Sequence, residues 1–313
     1  MFALFVRRAL VAALLIVAAS ALTFALVSAA PGNVAALMAE RAAGPNASAE
    51  LIARIADELG LNDPLPVRYI NWLGDAVRGD FGVSLRSGKP LSVEFSERIP
   101  VTATLLVGGG VIAFGISLLF GIAGAISNGG WVDNVLRAVS LVGASTPNFF
   151  VAAMLVITFA VTLGWLPSFG GGGGMASWVL PWITAAVLPA GVLSRVVRVN
   201  LQDAMSRPFA TTGFAKGLTR SGVVVQEALP TIAVPFLTTF GAQFALMIVA
   251  SVVVETVFAL RGVGAFFIEV IRFRDFIGMQ AILLLFVVFF VVTNLVVDII
   301  CMLIDPRIRK SRA

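Results

Sequence analysis

The chain has 313 residues, of which 59% are hydrophobic and 12% are charged, and its mean hydropathy is +0.99. Soluble domains carry roughly a quarter charged residues, so this composition excludes an ordinary soluble fold. The sequence has no histidine and one cysteine, Cys301, which excludes Ser-His-Asp triads, His-ligated zinc, internal disulfides and Cys-based metal sites. We interpret the net charge of +5 as basic residues facing anionic lipid headgroups, and no nucleic-acid partner is expected.

Six apolar stretches reach the length of about 20 residues that a membrane-spanning helix needs. The sequence therefore predicts an all-α polytopic membrane protein with six transmembrane helices. The first stretch follows Arg7 and Arg8 and is longer than a signal-peptide core, so we interpret it as a retained membrane anchor. The predicted spans cover residues 9–30, 101–126, 138–163, 178–197, 232–254 and 281–304.

The distribution of Lys and Arg predicts the orientation of these spans. With the N-terminus in the cytosol, most basic residues outside 31–100 fall on the cytosolic side, as the positive-inside rule requires. An even number of spans then places both termini in the cytosol. The predicted organisation is a cytosolic N-terminus with the first helix (1–30), an extracytoplasmic loop (31–100), a five-helix core (101–304) and a cytosolic basic tail (305–313).

The extracytoplasmic loop 31–100 is predicted to contain two short helices. The first is amphipathic, with Ser48 as its N-cap and Gly60 as its C-terminal stop. The second carries Tyr69 and Trp72, which are suited to a membrane interface. The loop forms either a small cap on the outer ends of the spans or a docking surface for a soluble partner, and both interpretations can hold together.

Three irregular features within or between the spans have predicted structural roles. Pro147 is expected to bend the third span. The five glycines from Gly170 to Gly174 are expected to form a flexible outer connector and not a phosphate-binding loop. Asp298 lies near the end of the last span, where we expect a hydrogen bond to a neighbouring helix.

Residues 200–230 form a polar, basic insert between the fourth and fifth spans. Pro208 is suited to begin a short helix that ends near 216, and Gly217 is suited to end it in a left-handed conformation. Thr219 is a candidate N-cap for a second short helix, and Pro230 is expected to end that helix. Two short helices joined at a glycine predict a compact cytosolic protrusion that a partner can grip; the alternative is a solvated connector.

The spacing within this insert resembles the "EAA" coupling loop of ABC-importer permeases. Gly217 and residues 229–230 (Leu-Pro) fall on the Gly and Leu-Pro of that pattern. Residues 211–213 (Thr-Thr-Gly) stand at its Glu-Ala-Ala positions, and Glu227 stands at its Ile position. The Ala-Lys-Gly-Leu at 215–218 is similar to one branch of the family, the dipeptide/oligopeptide/nickel permeases.

Short motifs elsewhere occur in the order found in that branch and extend the resemblance to nearly the whole chain. The long first outer loop is similar to that of the branch's B-type subunit. The matching residues are Pro31-Gly32, Leu59-Gly60-Leu61, Asp63-Pro64-Leu65, Gly79-Asp80-Phe81-Gly82, Arg195, Arg198, Glu255-Thr256-Val257-Phe258, Gly262-Val263-Gly264, Arg274-Asp275, Asp298 and Asp305-Pro306-Arg307-Ile308-Arg309.

The resemblance implies a type I ABC-importer permease with six transmembrane helices and a cytosolic coupling (EAA) loop. Such a subunit works in a bacterial or archaeal plasma membrane with a second homologous permease, two cytosolic ABC ATPase subunits and an extracytoplasmic substrate-binding protein. It translocates substrate by alternating access. It is not an enzyme and has no catalytic residue, metal or cofactor of its own, because the partner ATPases use ATP and Mg²⁺. Peptides are the expected substrate, with nickel chelates, glutathione and sugars as alternatives.

The resemblance also assigns residues to two surfaces. Towards the ATPase, we expect Phe209 and Phe214 to be exposed apolar anchors and Gly217 to set the angle between the two short helices. The expected ATPase-coupling residues are Arg207, Phe209, Phe214, Ala215, Lys216, Gly217, Leu229 and Pro230. The expected residues on the binding-protein side are Glu255, Arg261, Gly262 and Gly264.

Two other classes of membrane protein are weighed against this interpretation. A secondary transporter driven by an ion gradient needs paired intramembrane charges or broken helices near the midplane. The sequence offers only the shallow carboxylate of Asp298 for that role. An intramembrane enzyme needs a nucleophile–base pair or a metal cluster, and the sequence suggests neither.

Overall fold

The computed structural model describes residues 2–29, 34–44, 46–58, 60–170 and 174–304, and within these ranges the chain forms helices and no β-strand. The predicted all-α architecture is therefore confirmed. The Pro31-Gly32 motif, the centre of the glycine run and the tail 305–313 lie outside the described residues. The helices are α1 (Phe2–Ala29), α2 (Val34–Ala43), α3 (Ala49–Glu58), α4 (Leu65–Val77), α5 (Leu91–Ser127), α6 (Trp131–Ser145), α7 (Asn148–Leu155), α8 (Ala176–Met205), α9 (Pro208–Ala215), α10 (Arg220–Gly222), α11 (Ala233–Val257), α12 (Val263–Arg272) and α13 (Phe276–Ile304). A π-helical segment extends α7 (Val156–Thr162), a second extends α10 (Val223–Ala228), and a 3-10 segment (Leu229–Ile232) leads into α11.

Five helices of the described chain are long and apolar enough to cross a membrane, and the α6–α7 pair makes a sixth if it is counted as one span. This pair is bent by 109° at the break that contains Pro147, so the predicted bend is present, as a break between two helices and not as a kink within one. Pro147 has an extended conformation (φ −62°, ψ 140°) and immediately precedes α7. Because a proline also disfavours helix at the residue before it, the chain leaves the helical conformation over Thr146 and Pro147.

Helix α8 packs against α5, α6 and α11 and is the central helix of the bundle. Small polar residues allow a close approach between α6 and α8, where the Ser194 hydroxyl donates to the Ser140 hydroxyl over 2.8 Å. The sequence placed the end of this span near Arg195 and Arg198. The helix instead continues without a break to Met205.

The outer segment contains the two predicted helices, α3 and α4, and one that was not predicted, α2. The N-cap of α3 is confirmed, because the Leu51 N–H donates to the Ser48 hydroxyl over 3.2 Å. The stop after α3 is also confirmed, since Gly60 has a positive φ of 62°. Helix α2 ends in two alanines and lacks the strong amphipathic pattern that marked α3, so periodicity alone did not reveal it.

Helix α4 packs against α1 through aromatic side chains. The Tyr69 and Ser20 hydroxyls are hydrogen-bonded over 2.8 Å, and Tyr69 also donates to the carbonyl of Val17 over 3.0 Å. The Phe24 ring lies 5.6 Å from the rings of both Tyr69 and Trp72, measured between centroids. The two aromatic residues expected at an interface thus connect the outer segment to the first span.

The opposite end of α1 contacts α13 through an ion pair. Arg8 of α1 contacts Asp298 of α13, and both side chains are partly exposed. The prediction that Asp298 finds a partner on a neighbouring helix is confirmed, with a charged partner in place of a neutral one. The pair compensates a carboxylate that would be costly to leave unpaired beside lipid.

Candidate functional site

The segment between α8 and α11 has the local structure that its turn residues predict. Pro208 is the first residue of α9, which ends at Ala215, one residue before the predicted end. Gly217 has a φ of 85°, a left-handed conformation that costs other L-residues roughly 1–2 kcal/mol. Thr219 then begins the next helical run, since its hydroxyl accepts the Gly222 N–H over 3.3 Å.

Pro230 does not end this second run, contrary to the prediction. The chain stays helical from Arg220 to Val257, passing from the π-helical segment into the 3-10 segment and then into α11. The Leu229 N–H donates to the Val224 carbonyl, five residues earlier in the chain. Pro230 has no backbone N–H, so it needs no hydrogen-bond acceptor. The change from wide to tight helical turns therefore accommodates the proline without breaking the run.

The base of the segment is packed into a hydrophobic cluster shared with α5 and α8. Leu201, Val224 and Ala228 are buried there, and Phe209 packs against them as a partly buried side chain. Phe209 is therefore part of the base and not the fully exposed anchor that the sequence predicted. Its position follows from its place in the first turn of α9, which faces the cluster.

The far end of α9 presents an exposed apolar and basic surface. Phe214 is 44% exposed, and Ala215, Lys216 and Gly217 are exposed beside it. The Lys216 Nζ lies 3.8 Å from the Glu227 Oε1, a long contact between partly exposed groups. We call residues 214–217 the loop tip; of the two predicted aromatic anchors, only Phe214 lies on it.

The other predicted coupling residues lie around the base. Arg207 precedes α9 and is exposed, and its Nη2 lies 3.4 Å from the Asp203 Oδ2 of α8. Leu229 is partly buried in the same hydrophobic cluster, whereas Pro230 is exposed. Exposed ion pairs of this kind contribute little stability, so the packed apolar residues hold the base in place.

Two partly buried polar contacts connect the helices next to the segment. Asp133 of α6 is buried and accepts two N–H groups of Arg198, with the Nη2 to Oδ2 distance at 2.6 Å. The Arg220 Nη2 donates to the Ala125 carbonyl of α5 over 3.2 Å. Sequence reasoning did not assign the Asp133–Arg198 pair. The sequence did contain a signal for the pair. Asp133 is an isolated acidic residue in the first turn of α6, near a membrane edge where most other charged residues are basic.

The residues expected on the binding-protein side form a buried network at the outer end of α11. The Glu255 carboxylate is fully buried and accepts the Thr102 hydroxyl over 2.7 Å and the Ala265 N–H over 2.8 Å. Thr102 in turn accepts the Val263 N–H over 2.9 Å. The network joins α5, α11 and the start of α12. Glu255 was expected on the binding-protein side, but its carboxylate is buried and occupied by these contacts, so it presents no charge at the surface.

The two glycines of the motif make room for this carboxylate. A Cβ on Gly262 would collide with the Glu255 carboxylate, and a Cβ on Gly264 would lie 2.7 Å from the Val252 Cα. Arg261, beside them in sequence, is exposed. Of these four residues, only Arg261 presents a charged side chain at the protein surface.

A second outer network involves Asp275, which is also buried. Its Oδ2 accepts the Ser84 hydroxyl over 2.6 Å, and its Oδ1 accepts the Gly278 N–H over 2.9 Å at the start of α13. Arg86 reaches Glu269 of α12 over 2.6 Å. These contacts bind the end of the long outer loop to the α12–α13 turn. Within the Arg274-Asp275 motif, Asp275 therefore caps α13 and attaches the loop.

Within the described ranges, no group of three or more Asp, Glu or Cys side chains is placed to hold a metal ion. The conspicuous features are thus a packed base with an exposed tip at one end of the bundle and buried polar networks at the other.

Comparison with known families gives two matches that together span most of the chain. Residues 117–310 match the family described as binding-protein-dependent transport system inner membrane component. Residues 1–107 match the N-terminal region of the same kind of membrane component.

Individual relatives agree with the family matches. A probable peptide ABC transporter permease protein, y4tP of Sinorhizobium fredii, is 36% identical over 293 residues, covering 91% of this chain and 92% of the relative. The glutathione transport system permease protein GsiC of Salmonella typhi is 35% identical over 303 residues, covering 96% of each. The GsiC protein of Escherichia coli K12 is 34% identical over 293 residues, covering 93% of each.

A solved structure shares the fold. An inward-facing structure of the MetNI methionine ABC transporter superposes with a TM-score of 0.56 at 16% identity, covering 69% of this chain and 98% of the matched chain. The identity is low, so the likeness concerns the fold alone.

Proposed function

Because this chain belongs to the family of binding-protein-dependent transport system inner membrane components, a family of ABC-importer permeases, we propose that its loop tip receives the force of partner ATPases. The subunit pairs with a second homologous permease and two cytosolic ATPases, and a binding protein delivers substrate outside. Closure of the ATPases on ATP moves the loop tip, and the bundle alternates between inward and outward access. ATP and Mg²⁺ are bound by those partners and not by this chain.

The observation that carries this proposal is the exposed Phe214 on a rigid base. An aromatic side chain that is 44% exposed at the end of a short helix suits a partner's pocket. The base is held to α5 by Arg220 and to α8 by the apolar cluster around Leu201. A displacement applied at the tip is therefore transmitted to the transmembrane helices and is not absorbed by a flexible connector.

The proposed substrates are peptides. The relatives with the highest identity reported above are a probable peptide permease and glutathione permeases, and glutathione is itself a small peptide. Selection among peptides is assigned to the extracytoplasmic binding protein.

The proposed orientation has both termini in the cytosol. It counts the α6–α7 pair as one span, which gives six, and it follows the distribution of basic residues. The loop tip then faces the cytosolic ATPases, while the networks of Glu255 and Asp275 face outward.

The test compares Phe214→Asp with Phe169→Asp in co-expressed complexes. Phe169 is 67% exposed and lies between α7 and α8, at the end of the bundle away from the loop tip, so it is a matched control. Because Phe214 is 44% exposed, burying it against a partner is worth about 1 kcal/mol, and a carboxylate placed in the same pocket adds a desolvation cost of about 1 kcal/mol or more. Together these correspond to roughly 30-fold in affinity. We expect Phe214→Asp to lower the amount of ATPase retained per permease by at least about tenfold, and Phe169→Asp to leave it unchanged.

Equal retention of ATPase by both variants would contradict the proposal. Phe209→Asp is a poor substitute for this test, because it places a carboxylate against the packed base and is expected to destabilise the permease itself.

A further inference from the structure

A groove of about 470 Å³ runs between α1 and α13 on the outside of the bundle. Apolar side chains form most of its wall, and the charged groups among its described lining residues lie at one end. The lining residues used here are Arg7, Arg8, Leu15, Phe290, Asn294 and Asp298. The two arginines had been assigned only an effect on membrane orientation, and the importer mechanism does not use the groove.

The two arginines at the end of the groove differ in their partners. Arg8 is compensated by its ion pair with Asp298. Arg7 is exposed and has no acidic partner among the described residues. One uncompensated guanidinium thus remains at the mouth of an apolar groove, and a guanidinium donates two parallel N–H groups to phosphate oxygens.

The length of the groove suits part of an acyl chain. Arg7 and Leu15 are eight residues apart on α1, about 12 Å at 1.5 Å per residue, and Phe290 and Asp298 have the same separation on α13. Leu15 is 53% exposed and Phe290 is 48% exposed. An apolar chain lying along the groove would contact both helices over this distance.

We propose that the groove is a binding site for an anionic phospholipid of the adjoining leaflet. The headgroup phosphate binds Arg7, and one acyl chain lies between α1 and α13 against Leu15 and Phe290. Basic pockets between transmembrane helices are a recognised arrangement for anionic lipid headgroups. Charge complementarity selects this occupant over a neutral lipid, because Asp298 pairs with Arg8 and leaves Arg7 as the uncompensated charge among the described residues that line the groove.

The lipid also has a structural consequence for α1. The described part of α1 packs against α13 and, at its other end, α4, while Leu10 and Leu14 are 65% and 68% exposed. A lipid that contacts both walls of the groove adds to the single ion pair that joins α1 to α13 at this end. The site is independent of the ATPase-coupling proposal, because it lies on a different face and needs no transport.

The experiment uses the purified permease-containing complex in nanodiscs with equal phosphatidylglycerol and phosphatidylcholine. After transfer to detergent, mass spectrometry counts the lipids retained per complex. Arg7→Gln removes the proposed phosphate ligand, and Leu15→Trp fills the groove while keeping the charge. Arg137→Gln is the control, since Arg137 is an exposed arginine that does not line the groove.

We expect wild type and Arg137→Gln to retain phosphatidylglycerol at least fivefold over phosphatidylcholine, and both groove variants to lose this preference. Wild-type protein without the preference would overturn the proposal and assign the groove to a neutral lipid or to a helix of another subunit. Retention of the preference by either Arg7→Gln or Leu15→Trp would also overturn it.

Discussion

Glu255 offers a direct test of whether the outer motif serves stability or docking. In Glu255→Ala, the Thr102 hydroxyl and the Ala265 N–H both lose their buried acceptor. A buried donor left without a partner costs about 1–3 kcal/mol, so the two together predict a loss of about 2–6 kcal/mol. Glu255→Gln keeps one acceptor oxygen and turns the other into a donor, which predicts a loss of about 1–3 kcal/mol.

Arg261→Ala is the matched control for a surface role, because Arg261 is exposed beside the same motif. Its expected effect on stability is within about 0.5 kcal/mol. The assay is denaturant unfolding of the purified complex, together with binding-protein-stimulated ATPase activity normalised to folded complex. The predicted order of stability is wild type and Arg261→Ala together, then Glu255→Gln, then Glu255→Ala.

The reasoning is refuted if Glu255→Ala unfolds at the same denaturant concentration as wild type. If Glu255→Ala instead keeps wild-type stability but loses binding-protein stimulation of ATPase activity per folded complex, Glu255 belongs to the docking surface. If only Arg261→Ala loses binding-protein stimulation of ATPase activity, then Arg261 contacts the binding protein and Glu255 does not.

Three further predictions concern the coupling segment, the bundle and the orientation. Apart from its chain neighbours, no atom lies within 4 Å of a Cβ on Gly217, so Gly217→Ala is expected to weaken ATPase binding about five- to thirtyfold through backbone strain, and Gly217→Asn less; equal affinities would contradict this. Asp133→Ala leaves the partly buried Arg198 without its partner and should cost about 1–3 kcal/mol in unfolding experiments, whereas a much smaller loss in the Asp133→Ala/Arg198→Met double variant would support the pairing. A reporter active only in the cytosol should be active when fused after Ala313 and inactive within 31–100; activity within 31–100 would reverse the topology.

The sequence by itself determined the class of the protein and much of its local structure. Composition and long apolar stretches required helices in lipid, because backbone groups there must be hydrogen-bonded within the segment. Turn chemistry predicted the ends of short elements at Ser48, Gly60, Gly217 and Thr219, since each of these signals acts over four residues or fewer. The spacing between Gly217 and the Leu-Pro at 229–230 also indicated the family from sequence alone.

Tertiary structure decided what depends on residues far apart in the chain. The partners of Glu255 and Asp133 come from other helices, so their burial is invisible to local patterns. The same holds for Phe209 and Phe214, which are five positions apart on one short helix, yet one packs against the base and the other lies on the tip. The effect of Pro230 could not be predicted locally either. Whether a proline ends a helix depends on whether the neighbouring turns can adopt π-helical and 3-10 geometry around it, as they do here.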